Sequence, residues 1–66
     1  MTFTLNGNPA DLPAGTTLAD VVTQLGLPDR GIALALDGEV VARSAWSQTL
    51  VPEWGRVDIV TAMQGG

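Results

Sequence analysis

The residues with most chemistry to offer stand at the end of the sequence, where Gln64 is followed by Gly65-Gly66. A C-terminal glycine presents a carboxylate with no Cβ beside it. Its backbone is permissive enough to thread a channel that any side chain would block. Carried on the end of a strand, such a carboxylate can be delivered into another protein's active site. It cannot be substituted directly, because the leaving group would be oxide. Adenylation by ATP exchanges that leaving group for AMP, after which sulfide or persulfide sulfur can displace it and leave a thiocarboxylate. The competing reading is a frayed terminus, where glycine costs nothing. The dipeptide alone does not separate the two.

The other residues narrow the choice by what they lack. The 66 residues include no Cys, His, Lys or Tyr. There is accordingly no Ser-His or Cys-His nucleophile, no thiolate and no soft-metal site. Without lysine there is no Schiff base and no P-loop. Ser44 and Ser47 have no base to activate them, so no catalytic residue is assigned. Asp37 and Glu39 are hairpin acids without the further oxygen ligands that calcium needs, so no metal is expected. A chain of this length buries about 60% of its unfolded surface, too little to enclose a dry substrate pocket. The composition describes a protein handled by others rather than an autonomous enzyme, with no cofactor of its own.

Charge adds little. The net charge is −4, and Arg30, Arg43 and Arg56 are scattered without a basic stripe, which argues against nucleic acid. The acids are spread as on an ordinary solvated surface, although a negative balance favours basic partners. No apolar run approaches the roughly 20 residues of a membrane span. Met1 to Asn6 lacks a basic leader region, and the zero cysteine count fits a cytoplasmic protein.

The elements that must position the tail read as one domain, 1–66, with 64–66 a flexible extension. Thr2 to Asn6 alternates, with Phe3 and Leu5 on one face, and Asn6-Gly7 supplies a tight hairpin turn. The partner strand is expected at Ala10 to Leu12, an edge strand flanked by Pro9 and Pro13. Thr16 or Thr17 caps a helix from Leu18 to Leu25, with Asp20 in its first turn and an apolar stripe of Leu18, Val21, Val22 and Leu25. Gly26 and Pro28 stop it. Ile32 to Leu36 alternates large with small, and Asp37-Gly38 turns the chain into Val40-Val41. Ser44 to Ser47 reads as a short helical turn laying Trp46 over the core, and Glu53-Trp54-Gly55 as another turn. The last strand runs from Arg56 to Met63, with Val57 and Ile59 on one face and Asp58, Val60 and Ala62 on the other. Hairpin, helix, hairpin and final strand is the order of the α+β ubiquitin-like β-grasp: a mixed sheet of about five strands with one main helix across one face.

Two stretches carry a more specific likeness. Leu34 to Trp46, in which a short hairpin leads through Val41 to Arg43 and then Trp46 three residues on, resembles the hallmark segment of the thiamine-pathway sulfur carriers, the ThiS family. Val57 to Gly66 is similar to that family's closing strand and tail, and the resemblance spans the whole chain. It implies that Gly66 is adenylated with ATP by an E1-like (ThiF-type) adenylyltransferase and receives sulfur from a donor protein. The resulting thiocarboxylate would then pass its sulfur to thiazole synthase (ThiG-type). Gln64 and Gly65 are the tail that enters these partners. One departure is visible: the turn before the last strand, commonly Gly-Asp in such carriers, is Trp54-Gly55 here. A molybdopterin-synthase small-subunit type shares the fold and tail but lacks the Arg-to-Trp segment. A β-grasp interaction module with an inert tail, or a modifier joined through Gly66 to target lysines, would fit the same outline.

Pairing of the last strand with the third would set Ala33 and Ala35 beside Val60 and Ala62 on the outer sheet face. That small apolar patch, with Met63 beside it, would serve as a docking surface next to the tail. Trp46 reads as core, Arg43 as a structural pairing or capping residue, and Trp54 as divided between burial and contact. The chain alone is expected to be a monomer.

Overall fold

In chain order the described residues form strands β1 (Thr2–Leu5) and β2 (Asn8–Asp11), helix α1 (Leu18–Gln24) and strands β3 (Ile32–Leu36) and β4 (Glu39–Val41). A 3₁₀ turn (Arg43–Gln48) and strand β5 (Arg56–Thr61) follow. The structure is a computed structural model and describes residues 1–28 and 30–61. The sheet order is β2-β1-β5-β3-β4. β5 lies parallel to β1 and antiparallel to β3, so the last strand in sequence is central in space. This mixed five-stranded sheet with one main helix is a β-grasp.

Both hairpins turn on two residues with positive φ. Asn6 and Gly7 have φ of 51° and 84°, and Asp37 and Gly38 have 50° and 90°. These are the signs of type I′ turns, whose twist matches that of the flanking strands. The first turn fixes the register as Leu5 opposite Asn8, so β2 starts directly after it, earlier than Ala10. Pro9 therefore lies inside β2, opposite Thr4, where an edge strand tolerates the missing donor.

Helix α1 opens with a reciprocal capping box. The Asp20 amide donates to Thr17 Oγ1 at 3.1 Å, and the Thr17 amide donates to Asp20 Oδ2 at 3.0 Å. The helix closes one residue sooner than the apolar stripe suggests. Leu25 is its C-cap and is 44% exposed. Gly26, at φ 67°, lets the chain fold back, and the Leu27 amide reaches the Val22 carbonyl at 3.0 Å. This is a Schellman closure, and it is Leu27 that packs against the core.

Leu18, Val21 and Val22 of the helix bury against Phe3, Leu34 and Val57 of the sheet, with Trp46 and Val51 closing the core. Trp46 is 5% exposed, and its Nε1 donates to the Val41 carbonyl at 2.9 Å, so the ring sinks without stranding its polar atom. The segments around the helix start and the 3₁₀ turn are stitched together. Leu18 N–H meets the Thr49 carbonyl, and Val51 N–H meets the Thr16 carbonyl.

The turn into β5 is the strained place. Trp54 has φ 66° and is 76% exposed. A bulky residue in the left-handed region costs about 1–2 kcal/mol. It is held there by bonds on both sides, since the Trp54 amide donates to Thr2 O at 2.6 Å and the Gly55 amide to Pro52 O at 3.0 Å. Gly55 must be glycine because a Cβ there would stand 2.9 Å from the Pro52 carbonyl oxygen. Trp54→Asn, which accepts positive φ more readily and gives up little burial, is expected to stabilise the fold by about 0.5–1 kcal/mol. Urea denaturation should show a higher midpoint with an unchanged slope.

Candidate functional site

The site is built on β5, because the residues with reactive potential continue from its end. Gln64, Gly65 and Gly66 lie outside the described residues, as do Ala62 and Met63. What the structure places is the base from which they depart, and that base is held from both sides.

On the β3 side, the Asp37 amide donates to the Arg56 carbonyl at 2.8 Å, and the Arg56 amide donates to Asp37 Oδ1 at 2.9 Å. Thus the turn residue itself clamps the start of β5. On the β1 side, Thr4 N–H meets the Gly55 carbonyl and Asn6 N–H the Val57 carbonyl, both at 2.9 Å. At Asn6 the backbone turns away, and the side chain takes over: Asn6 Oδ1 accepts from the Ile59 amide at 2.7 Å. Neither clamp is visible in the residue pattern. Asn-Gly and Asp-Gly announce turns, but nothing in a sequence says which distant amide a turn side chain will satisfy.

The outer face departs from the expected patch in one respect. Ala33 stands opposite Val60, but Ala35 stands opposite Asp58 rather than another apolar residue. Asp58 Oδ2 accepts from Arg56 Nε at 3.1 Å, so an exposed ion pair borders the patch. Val40, 77% exposed and opposite Ala35, extends the apolar row across β4, and Val60 is 61% exposed. The two-residue Asp37-Gly38 turn sets this register, so the residues do carry a signal for Val40, which the expected patch omits. Arg43, Trp46 and Ser47 lie on the opposite side, lining a cleft of about 200 Å³ with Ala19, Val22 and Thr23 of the helix. Among the described residues no group of acids is placed to hold a metal ion, and no helix is long and apolar enough to cross a membrane.

A long strand leading to two glycines, clamped at its base on a β-grasp body, is the arrangement against which known proteins can be compared. The ThiS family model matches residues 3–66, nearly the whole chain and the Gly-Gly end with it. The chain belongs to the ThiS family. Sulfur carrier protein ThiS of Escherichia coli (strain K12) is 27% identical over 66 residues, with both chains covered completely. A crystal structure of the thiamine biosynthesis protein ThiS from Geobacter metallireducens superposes with a TM-score of 0.84 at 26% identity, again covering both chains fully. A solution structure of a thiamine biosynthesis protein from the same organism gives 0.78 at 26% identity, covering all of this chain and 88% of the other. These likenesses agree with the ubiquitin-like fold read from the order of elements.

Within this ThiS-family frame, Asn6 has a separable role at the base of the tail strand. Asn6→Gly keeps the positive φ and removes only the acceptor. We expect a loss of about 0.5–1 kcal/mol in stability. Amide exchange should accelerate at Ile59 while that at Val57 stays as it was. Unchanged exchange at Ile59 would mean that the Asn6 contact contributes nothing.

Proposed function

We propose that this chain is a sulfur carrier of thiamine biosynthesis, a protein co-substrate whose working group is the Gly66 carboxylate. The observation that carries the reading is the match of the ThiS family model through residue 66, on a chain whose central strand runs toward that end. In the first step a carboxylate oxygen of Gly66 attacks the α-phosphorus of ATP in an E1-like, ThiF-type adenylyltransferase, and pyrophosphate leaves. In the second, sulfide attacks the acyl carbon and AMP leaves, giving the thiocarboxylate. A sulfur-donor protein supplies that sulfur, and thiazole synthase takes it from the carrier. The carrier itself binds no cofactor, and ATP belongs to the partner.

The division of labour has a physical basis. The body contributes a rigid grip on β5, while Gln64 and Gly65 present nothing wider than one amide side chain before the reacting glycine. The partner's enclosed site supplies the low-dielectric surroundings in which phosphoryl transfer can be stabilised. We assign docking to the outer face next to the tail, where Val60, Ala33, Ala35 and Val40 form an apolar row, continued in sequence by Ala62 and Met63.

Intact-mass measurement after incubation with a ThiF-type enzyme, ATP and sulfide tests the chemistry. A gain equal to the exchange of one oxygen for sulfur is expected in the full chain and not in a chain lacking Gly66. No gain in either chain would leave the terminal glycines without a role. For the docking face, Val60→Asp places a charge on a residue already at the surface, so the fold should persist. The KM for adenylation should rise about tenfold or more, the scale of one lost apolar contact plus desolvation of a charge. An unaltered KM would remove the outer face from the interface.

A further inference from the structure

The edge of β5 that faces β1 is only partly used. In the β3–β5 ladder, Asp37 with Arg56 is a hydrogen-bonded pair, so by alternation Ala35–Asp58 and Ala33–Val60 are bonded pairs too. The peptide groups of Ile59 and Thr61 therefore point the other way, toward β1. The β1 pairing ends at Leu5 opposite Val57, and the Asn6 side chain satisfies the next donor, the Ile59 amide. The chain then turns through Asn6-Gly7 and returns as β2 on the far side of β1. The Ile59 carbonyl and the Thr61 amide are left on an edge to which no described strand is paired.

We infer that this notch, formed by the Ile59 carbonyl and the Thr61 amide, receives an extended main-chain segment of the adenylating enzyme, which adds to the sheet as a short strand beside the tail. The inference rests on the proposed adenylation of Gly66. Reach is what ties the two together. Four residues stand between Thr61 and Gly66, so five steps of chain reach at most about 18 Å at roughly 3.3–3.6 Å per residue. An enzyme that encloses the Gly66 carboxylate must bring its entrance wall alongside Thr61. An unpaired donor and acceptor on a strand edge are what an extended backbone recognises. The contact would be made by main chain, so it would be indifferent to the Thr61 side chain, and it would fix the direction in which the tail enters.

The test is a full-length synthetic chain in which the Thr61 amide is replaced by an ester, compared with Thr61→Ala and with the unaltered chain. Loss of one backbone hydrogen bond should raise KM for adenylation roughly five- to tenfold. Activity at saturating carrier should persist, and Thr61→Ala should behave as the unaltered chain. In parallel, exchange at the Thr61 amide should slow about tenfold or more on binding the enzyme, while the Ile59 amide is already protected in the free chain. Equal KM for ester and amide, with Thr61 exchange unchanged in the complex, would overturn the notch while leaving adenylation of Gly66 intact. Failure of the unaltered chain to be adenylated by a competent enzyme would instead overturn the reading on which the notch depends.

Discussion

The fold hangs on one constraint: β5, the last strand described, must lie in the middle of the sheet. β5 is bonded on one side to β1, the first strand, and on the other to β3. The hydrogen bond from Ile59 to Asn6 spans 53 positions of sequence. Neither hairpin can complete the sheet alone, since each offers an edge that only β5 satisfies. Ordering therefore depends on non-local contacts, which close slowly relative to helical turns. The same constraint gives the carrier its geometry. Over Arg56 to Ile59 the strand is gripped on both flanks, which fixes its course through the described residues.

The two faces of the sheet are used very differently. The inner face gives Phe3, Leu34 and Val57 to a core that, among the described residues, holds eight buried apolar side chains, the others coming from the helix, Trp46 and Val51. That is a thin core for 66 residues, and it is supplemented by polar satisfaction: among the described residues no buried side-chain polar atom lacks a partner. Thr16, the one buried polar residue described, donates its hydroxyl to the Pro13 carbonyl at 2.6 Å. On the outer face an exposed ion pair such as Arg56–Asp58 contributes at most about 1 kcal/mol. Its more evident effect is spatial, because it ends the apolar row at Asp58 and confines the smooth surface to Val60, Ala33, Ala35 and Val40.

Much of this is legible in the residues. Two-residue Asn-Gly and Asp-Gly turns fix hairpins, a threonine cap and a glycine stop bound a helix, and alternation in Ile32 to Leu36 and Arg56 to Thr61 assigns faces. What stays hidden depends on register and on side chains acting at a distance. Pro9 reads as a flank because proline lacks a donor, yet the turn register carries it into β2. Leu25 fits the apolar stripe, but the Schellman closure leaves it exposed and turns Leu27 against the core instead. Asp58 can be assigned to the outer face, but not to the position opposite Ala35, without knowing the β3–β5 offset. The Gly-Gly end marks a candidate group but does not by itself separate a reactive terminus from a frayed one, and the clamps that Asn6 and Asp37 place on β5 are not legible either.

Open strand edges invite unwanted pairing, and small sheets must blunt them. Here each outer edge has its own device. β2 carries Pro9, which has no amide to donate, and β4 is only three residues long and begins with the charge of Glu39. Inside the sheet, Asn6 closes off the Ile59 amide where β1 departs. Beyond that point the protection stops, one residue pair before the chain continues toward its glycines. With the outer edges blunted, the Ile59 carbonyl and the Thr61 amide, to which no described strand is paired, would confine the proposed strand addition to the end of β5. The proposed notch would draw its selectivity from where the ladder ends, with Asn6 as the residue that ends it.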